Sequence, residues 1–490
     1  MPMKRFSGKL VAFLMAMSLI VGAAGSFAFV RLTGIGQTAA SSSKVETVTA
    51  GSGSASETAK IKAIHDLIEK DYYKKISSDR LYNGAIQGMV DALNDPFSSY
   101  MSAKTASDFT ESLSSSFEGI GAEVQMVGNK VTIVSPIKGS PAEKAGLQPN
   151  DQITAIDGKS TDGLDINQAV NKIRGKKGTT VRISIKRPGS SDVKVYTIKR
   201  DTIPIRTVDS RMIRQNGRSI GYIAVTQFNE KTDREFSQAL RSLEEKNMQG
   251  LIIDVRGNPG GYLQAVEKMA NQIIPKGKPI VQIEDRAGRK QPFYTDLKKK
   301  KAYPIVGLID GGSASASEIL AGALKQAGGY PLVGLKSFGK GTVQQAVELS
   351  DKSELKLTTD KWLTPNGNWI HKKGIQPTVS VRQPAYFYAS PITLKKGQTL
   401  KYDQNQSTIG DAQKMLEAAG FDPKRTDGYF SRETEQAVKA FQRAKKLTVT
   451  GTVDQKTANA LQAATLQAVR NQKNDRQLHA AVRAVEQAID

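Results

Sequence analysis

The chain contains no cysteine, and that absence removes several chemistries at once. Disulfides, thiolate metal sites, covalent haem attachment and cysteine nucleophiles are all excluded. Histidine is nearly as scarce, with three residues in 490. His65 lies on a helical stretch, His371 in a loop and His479 in the tail, and each reads as structural or exposed, which argues against a Ser-His-Asp triad. Acidic residues are outnumbered, 47 against 70 Lys and Arg, leaving a formal charge of +23. In a cytosolic protein that balance would suggest nucleic acid; in an exported one it meets anionic lipid headgroups and wall polymers. The lysine run 298–301 reads as a solvated loop. Long apolar runs are also missing, with one exception at residues 10–30, preceded by Lys4, Arg5 and Lys9 and followed by Arg31. This run exceeds the ~7–15 residues of a cleaved signal core and approaches the ~20 needed to cross a bilayer. Residues 1–35 are therefore read as a signal anchor, or as a signal peptide cleaved near Ser26-Phe27-Ala28.

The remainder of the chain is modular. Residues 36–56, rich in Ser, Thr, Gly and Ala, read as a flexible tether. In 57–104, Ile61, Ile64, Leu67 and Ile68, then Ala85, Ile86, Met89, Val90 and Leu93, keep helical spacing. Two helices are too few for a core of their own, so a partner surface, a second copy of the chain among the candidates, is expected. Residues 105–200 are β-rich, with runs such as "KVTIV", "DQITAI" and "VRISIKR". One helix interrupts them, capped by Asp165 and stopped by Gly175. Across 201–390, strands "SIGYIAV", "GLIIDV" and "PIVGLID" alternate with amphipathic helices, which is βαβ logic. Chemistry in such sheets gathers at the carboxyl ends of strands, in the loops after Val255 and Asp310. In 400–465, Gly428, Phe430, Thr434, Ala437 and Val438 recur 23 positions later as Gly451, Val453, Thr457, Ala460 and Leu461, which makes a compact three-helix unit. A polar helix, 466–490, closes the chain; like the N-terminal pair it has no evident core of its own, so dimerisation through the N- and C-terminal helices is expected. The fold class is multi-domain α/β.

Two segments carry chemistry. In "DGGSASASEILAGAL" a strand ends at Asp310, small residues turn tightly, and a helix begins near Ala316. A serine there would have helix N–H groups beside it to stabilise an oxyanion, although Ser and Ala also simply suit a crowded turn. The second segment, "GLKSFGKGT", is one residue short of a phosphate-binding loop: Gly341 stands where a hydroxyl is needed, and strand-like residues come after it where a helix should. A lysine between Gly339 and Gly341 can approach another backbone closely, and in an apolar pocket its pKa falls towards neutrality. It then suits the base of a Ser-Lys dyad.

With "DVRGNPGG" upstream, "SASASEILAGAL" and "SFGKGTVQ" closely resemble the C-terminal processing peptidases, or tail-specific proteases, over about residues 57–385. The resemblance implies Ser315 as nucleophile, Lys340 as general base and Gln344 as the residue orienting the lysine. It implies an oxyanion hole from the N–H groups of Gly261 and Ala316. The β-rich region resembles a PDZ domain, with Gly119, Ile120, Gly121 and Ala122 as its carboxylate-binding loop. Arg174, at the end of its helix, is a candidate gate between PDZ and protease, or a charge complementing the helix dipole. The repeat resembles a peptidoglycan-binding domain.

Together these imply a serine endopeptidase of a bacterial envelope, needing no metal or cofactor. Its expected partners are apolar C-terminal tails, the membrane, wall polymer and a second copy, with no nucleic acid; processing of a signalling or sporulation regulator is one role in such a family. Two alternatives remain: a non-catalytic PDZ and wall-binding scaffold, and a nucleotide-dependent protein using the "GLKSFGKGT" loop.

Overall fold

The computed structural model describes residues 54–490 apart from 128, 129, 189, 191 and 396. The apolar run 10–30 and nearly all of the tether lie outside the described residues. The chain divides into two compact units, one ending at Met89 and the other running from Val90 to Asp490.

The first unit holds the helix Ser54–Asp71 and most of the helix Ser78–Asp91. The two helices are joined by the buried His65, whose Nε2 meets Ser78 Oγ at 2.6 Å and whose ring stacks on Tyr82 at 4.5 Å. Ile61, Ile64 and Leu67 are exposed.

The second unit opens with strand Ser99–Met101 and helix Ala103–Leu113. A β-rich body comes next, its entry and exit strands, Ser116–Gly119 and Asp201–Pro204, paired antiparallel. That pairing closes the base of the body. Its sheet comprises Ala122–Val127, Lys130–Pro136, Gln152–Ile156, Thr180–Lys186 and Val193–Lys199 around Ile133, Ile153, Ile183 and Ile185. Asp165 caps the helix Ile166–Ile173 by accepting from Gln168 N–H at 2.9 Å, and Gly175 beyond it takes φ +153.

A six-stranded sheet runs in the order Val208–Gln215, Arg218–Val225, Gly250–Asp254, Ile305–Ile309, Leu332–Gly334, Val379–Ser380, parallel after its first pair. Every residue of Gly250–Asp254 and of Ile305–Ile309 is buried, as expected of parallel strands covered on both faces. Helices Thr232–Glu245, Leu263–Ile273 and Ala316–Gly322 bury Phe236, Leu240, Val266, Met269 and Leu320 on one face. The other face is covered by the final helix, Arg476–Ile489, through Leu478, Ala481, Val482 and Val485. A β-carbon on Gly250 would stand 2.2 Å from Val485, so the strand needs a glycine where the helix crosses it. This departs from the expectation of a tail helix free for a second copy: its apolar stripe is spent within its own chain. A second, antiparallel sheet joins Ser99–Met101, Thr342–Glu348, Glu354–Leu363, Val281–Glu284 and Lys290–Phe293.

Helices Ser407–Ala418, Arg432–Ala444 and Gln455–Arg470 enclose Leu416, Phe430, Val438, Phe441 and Leu461. The internal repeat is visible in its polar groups. Gln413 accepts from Gly428 N–H and donates to Thr434 Oγ1, and Gln442 accepts from Gly451 N–H and donates to Thr457 Oγ1.

Candidate active site

Strand Ile305–Ile309 delivers Asp310, whose carboxylate accepts from Gly257 and Gly312 N–H, both at 2.9 Å. That ties the loop after Val255 to the small-residue turn. Asn258, fully buried, continues the tie: its Oδ1 accepts from Gly260 N–H and its carbonyl accepts from Ala314 N–H and Ser317 Oγ. The turn then reaches Ser315 with φ +54 and ψ −114, a conformation that non-glycine residues adopt only when held. The hold is visible. Ser315 N–H donates to Glu318 Oε2 at 2.9 Å, and its carbonyl accepts from Glu318 and Ile319 N–H. Gly260 lies flat against it, since a β-carbon there would sit 2.9 Å from Ser315 Cβ.

Glu318, completely buried, is the hub that sequence reading missed. Besides Ser315 N–H it accepts from Ser337 Oγ at 2.6 Å, Gly339 N–H at 2.7 Å and Lys340 N–H at 2.8 Å. One carboxylate thus fixes the serine turn and the lysine loop to each other. The spacing Ser315-x-x-Glu318 is that of a capping box, a signal that would have found it.

The lysine loop is held on its other side by aromatic residues. Trp362 Nε1 donates to Lys340 O at 2.8 Å and Trp369 Nε1 to Gly341 O at 2.7 Å. The Lys340 ammonium lies 5.0 Å from the centroid of Phe97. Burial, and next the charge of Lys356, push its pKa below the ordinary lysine value, while Asp95 and Glu318 oppose the shift.

Ser315, Ala316, Gly261, Lys340 and Gln344 all line one cavity of about 660 Å³. Among the described residues no hydrogen bond engages the N–H of Gly261 or Ala316, and none joins Ser315 Oγ to Lys340 Nζ. Among the described residues no hydrogen bond joins Gln344 to Lys340; its amide donates to Thr342 and Thr358 hydroxyls at 3.0 and 3.1 Å.

A second cavity, about 240 Å³, lies between strand Ala122–Val127 and helix Ile166–Ile173, and it is lined by Gly119, Ile120, Gly121, Ala122 and Arg174. The N–H groups of Ile120 and Gly121 are unengaged among the described residues. Gly121 takes φ +74, and a β-carbon there would meet Ser140 Cβ at 2.5 Å. Arg174 stacks over Phe117 and pairs with Glu111 at 3.1 Å. Glu111 belongs to the helix Ala103–Leu113, which also sends Phe109 into the wall of the first cavity.

Of the three histidines, His371 stacks on Trp369 beside Gly341, accepting from its N–H at 3.4 Å, and it does not line the cavity of Ser315. His65 does contact a serine and a carboxylate, Ser78 and Asp66, but within the helical pair. No group of three or more His, Asp or Glu is placed to hold a metal, and no helix is long and apolar enough to cross a membrane, among the described residues.

Four regions of the chain match known protein families. The peptidase family S41 model matches residues 219–381, a PDZ domain model 132–187, a peptidoglycan binding domain model 405–461, and a model of the N-terminal domain of the activating protease CtpB residues 19–105. The carboxy-terminal processing protease CtpB of Bacillus subtilis is 50% identical over 97% of this chain and 99% of its own length. CtpA of the same organism is 45% identical over 80% of this chain and 83% of its own. The solved photosystem II D1 C-terminal processing protease is 28% identical, over 66% of this chain and 86% of its own, with a TM-score of 0.40, too low to carry weight by itself.

Proposed function

Because the chain belongs to the S41 carboxy-terminal processing proteases, serine-type peptidases, we propose that it hydrolyses peptide bonds with a Ser315–Lys340 dyad on substrates whose C-terminal tails its PDZ domain recognises. The observation that carries this reading is a strained serine, a desolvated lysine and two unengaged N–H groups in the wall of one cavity.

Ser315 Oγ attacks the scissile carbonyl while neutral Lys340 takes the hydroxyl proton. The tetrahedral oxyanion is received by the N–H groups of Gly261 and Ala316, each donor worth on the order of 3 kcal/mol in comparable sites. Collapse expels the amine, which takes the proton from Lys340 and leaves an acyl-serine. Water, deprotonated by the same lysine, then releases the new C-terminus and restores Ser315. Gln344 steadies the lysine loop through Thr342 and Thr358. Both residues line one cavity without a hydrogen bond between them among the described residues, and control of the site by the PDZ domain, with Arg174 as its contact, is part of the proposal.

In the PDZ cavity, the free N–H groups of Ile120 and Gly121 suit a terminal carboxylate, and the strand Ala122–Val127 suits an added peptide strand. The peptidoglycan-binding module points to the cell envelope; an anchor in residues 1–35, and a regulator as substrate, are part of the proposal.

The test uses the full chain in mild detergent and a loosely folded protein with an apolar tail, free or amidated. Cleavage is expected to need both Ser315 and the free carboxylate. Cleavage by Ser315→Ala would remove the dyad; equal cleavage of the amidated tail would leave the dyad and remove the PDZ role.

A further inference from the structure

Among the described residues, the cavity that holds Ser315 has two charged side chains in its wall, Lys340 and Lys356, and no carboxylate. Lys356 sits on strand Glu354–Leu363, opposite Ser99 on one side and Ala346 on the other. Its ammonium lies 4.8 Å from the centroid of Phe109, itself a cavity residue. On the same strand Lys361 is neutralised by Glu284 at 2.5 Å. Lys356 has no such partner: among the described residues it forms no ion pair. A half-buried ammonium beside a second lysine is costly, and an aromatic face offsets only part of that cost. An incoming carboxylate would relieve both the desolvation and the repulsion.

We propose that Lys356 is a substrate-binding residue whose ammonium receives a carboxylate of the polypeptide close to the scissile bond. The inference rests on the reading of this cavity as the cleavage site and adds its specificity. The carboxylate can come from an acidic side chain flanking the bond or from the substrate's own terminus when the cut lies near it. Both chemistries fit one lysine. Phe109 and the Lys356 ammonium share the wall of this cavity, so a carboxylate bound there would meet the ammonium beside the ring.

The experiment uses the full chain and short peptides that differ by Glu or Gln at the positions flanking the cleaved bond, each with a free or amidated terminus. Wild type is expected to favour the acidic peptide by roughly tenfold in kcat/KM, the scale of one well-placed charge pair. In Lys356→Met that ratio collapses, chiefly through KM, Lys356→Arg retains it, and Lys356→Glu inverts it towards a Lys-bearing peptide. Ratios are compared at one pH, because removing Lys356 also alters Lys340. A preference for the free terminus that vanishes in Lys356→Met assigns the terminal carboxylate to this site, and one that persists assigns it to the PDZ loop. A Glu/Gln ratio unchanged by Lys356→Met, or no ratio in wild type, overturns the proposal. Cleavage surviving Ser315→Ala instead sinks the underlying reading, a distinguishable outcome.

Discussion

At the residue scale Lys340 is the informative group, because the proposed mechanism depends on its losing a proton that lysine ordinarily keeps. Burial and the charge of Lys356 lower its pKa, and Asp95 and Glu318 limit the fall. Activity should therefore rise with pH through the Lys340 pKa, since the protonated form cannot accept the serine proton. Lys356→Met removes a like charge, so the Lys340 pKa rises and the acidic limb of the kcat profile moves to higher pH. A profile that does not move, measured on a neutral peptide, would mean Lys356 does not act on the base. Ser315 and Lys340 could be proposed from the sequence because "SASAS" and "FGKG" carry the family resemblance, and the structure places both in the wall of one cavity. Glu318 was half-legible, through its spacing from Ser315. Lys356 was not, since in "ELKLTTDKW" it looks like any charge on a strand, and only the sheet decides which face meets the cavity.

At the scale of elements the helix Ala103–Leu113 spans the distance between the two cavities. Glu111 meets Arg174 in the PDZ wall, and Phe109 meets Lys356 in the other. Both partners of the Glu111–Arg174 pair are well exposed, so it adds little to stability, typically within about 1 kcal/mol. Its value on this reading is positional. Arg174→Ala and Glu111→Ala should each lower cleavage of tailed substrates several-fold with an unchanged Tm, and the double variant should be no worse than either single one. Additive losses in that cycle would show that the two residues act separately. The sequence indicated Arg174 as a gate candidate and the helical spacing of its neighbours. It did not indicate Glu111, because an ion pair between segments more than sixty residues apart in sequence leaves no local pattern.

At the scale of the molecule, the three-helix module lies between the last strand of the large sheet, Val379–Ser380, and the helix that covers that sheet, Arg476–Ile489. The module that matches the peptidoglycan binding domain model is thus spliced into the protease core. A tail helix that reads as polar and without a core of its own leaves its partner surface open, which is why the sequence suggested a second copy. The junction is an ion pair with its remaining atoms satisfied. Arg256, two residues past Gly250–Asp254, donates to both oxygens of Asp475 at 2.9 and 2.8 Å and to Asp254. Gln383 donates to Asp475 at 2.6 Å. Arg256 also opens the loop that carries Gly260 and Gly261, so the start of the helix Arg476–Ile489 is tied through one guanidinium to the loop lining the Ser315 cavity. Burial of Asp475 opposes its ionisation, yet the bonds and charge of Arg256 hold its pKa below the usual carboxylate value. The sign is set by linkage: a lowered folded-state pKa stabilises above the unfolded value, about 3.9, and that stability is lost as pH falls through the folded one. Asp475→Asn should therefore destabilise near neutrality, by less than the ~3–5 kcal/mol of a buried charge left without a partner because Arg256 keeps Asp254, and the gap to wild type should narrow below about pH 4. Denaturant unfolding across that range is the measurement. A cost that stays constant with pH would assign Asp475 to helix capping alone, through the bond it accepts from Leu478 N–H.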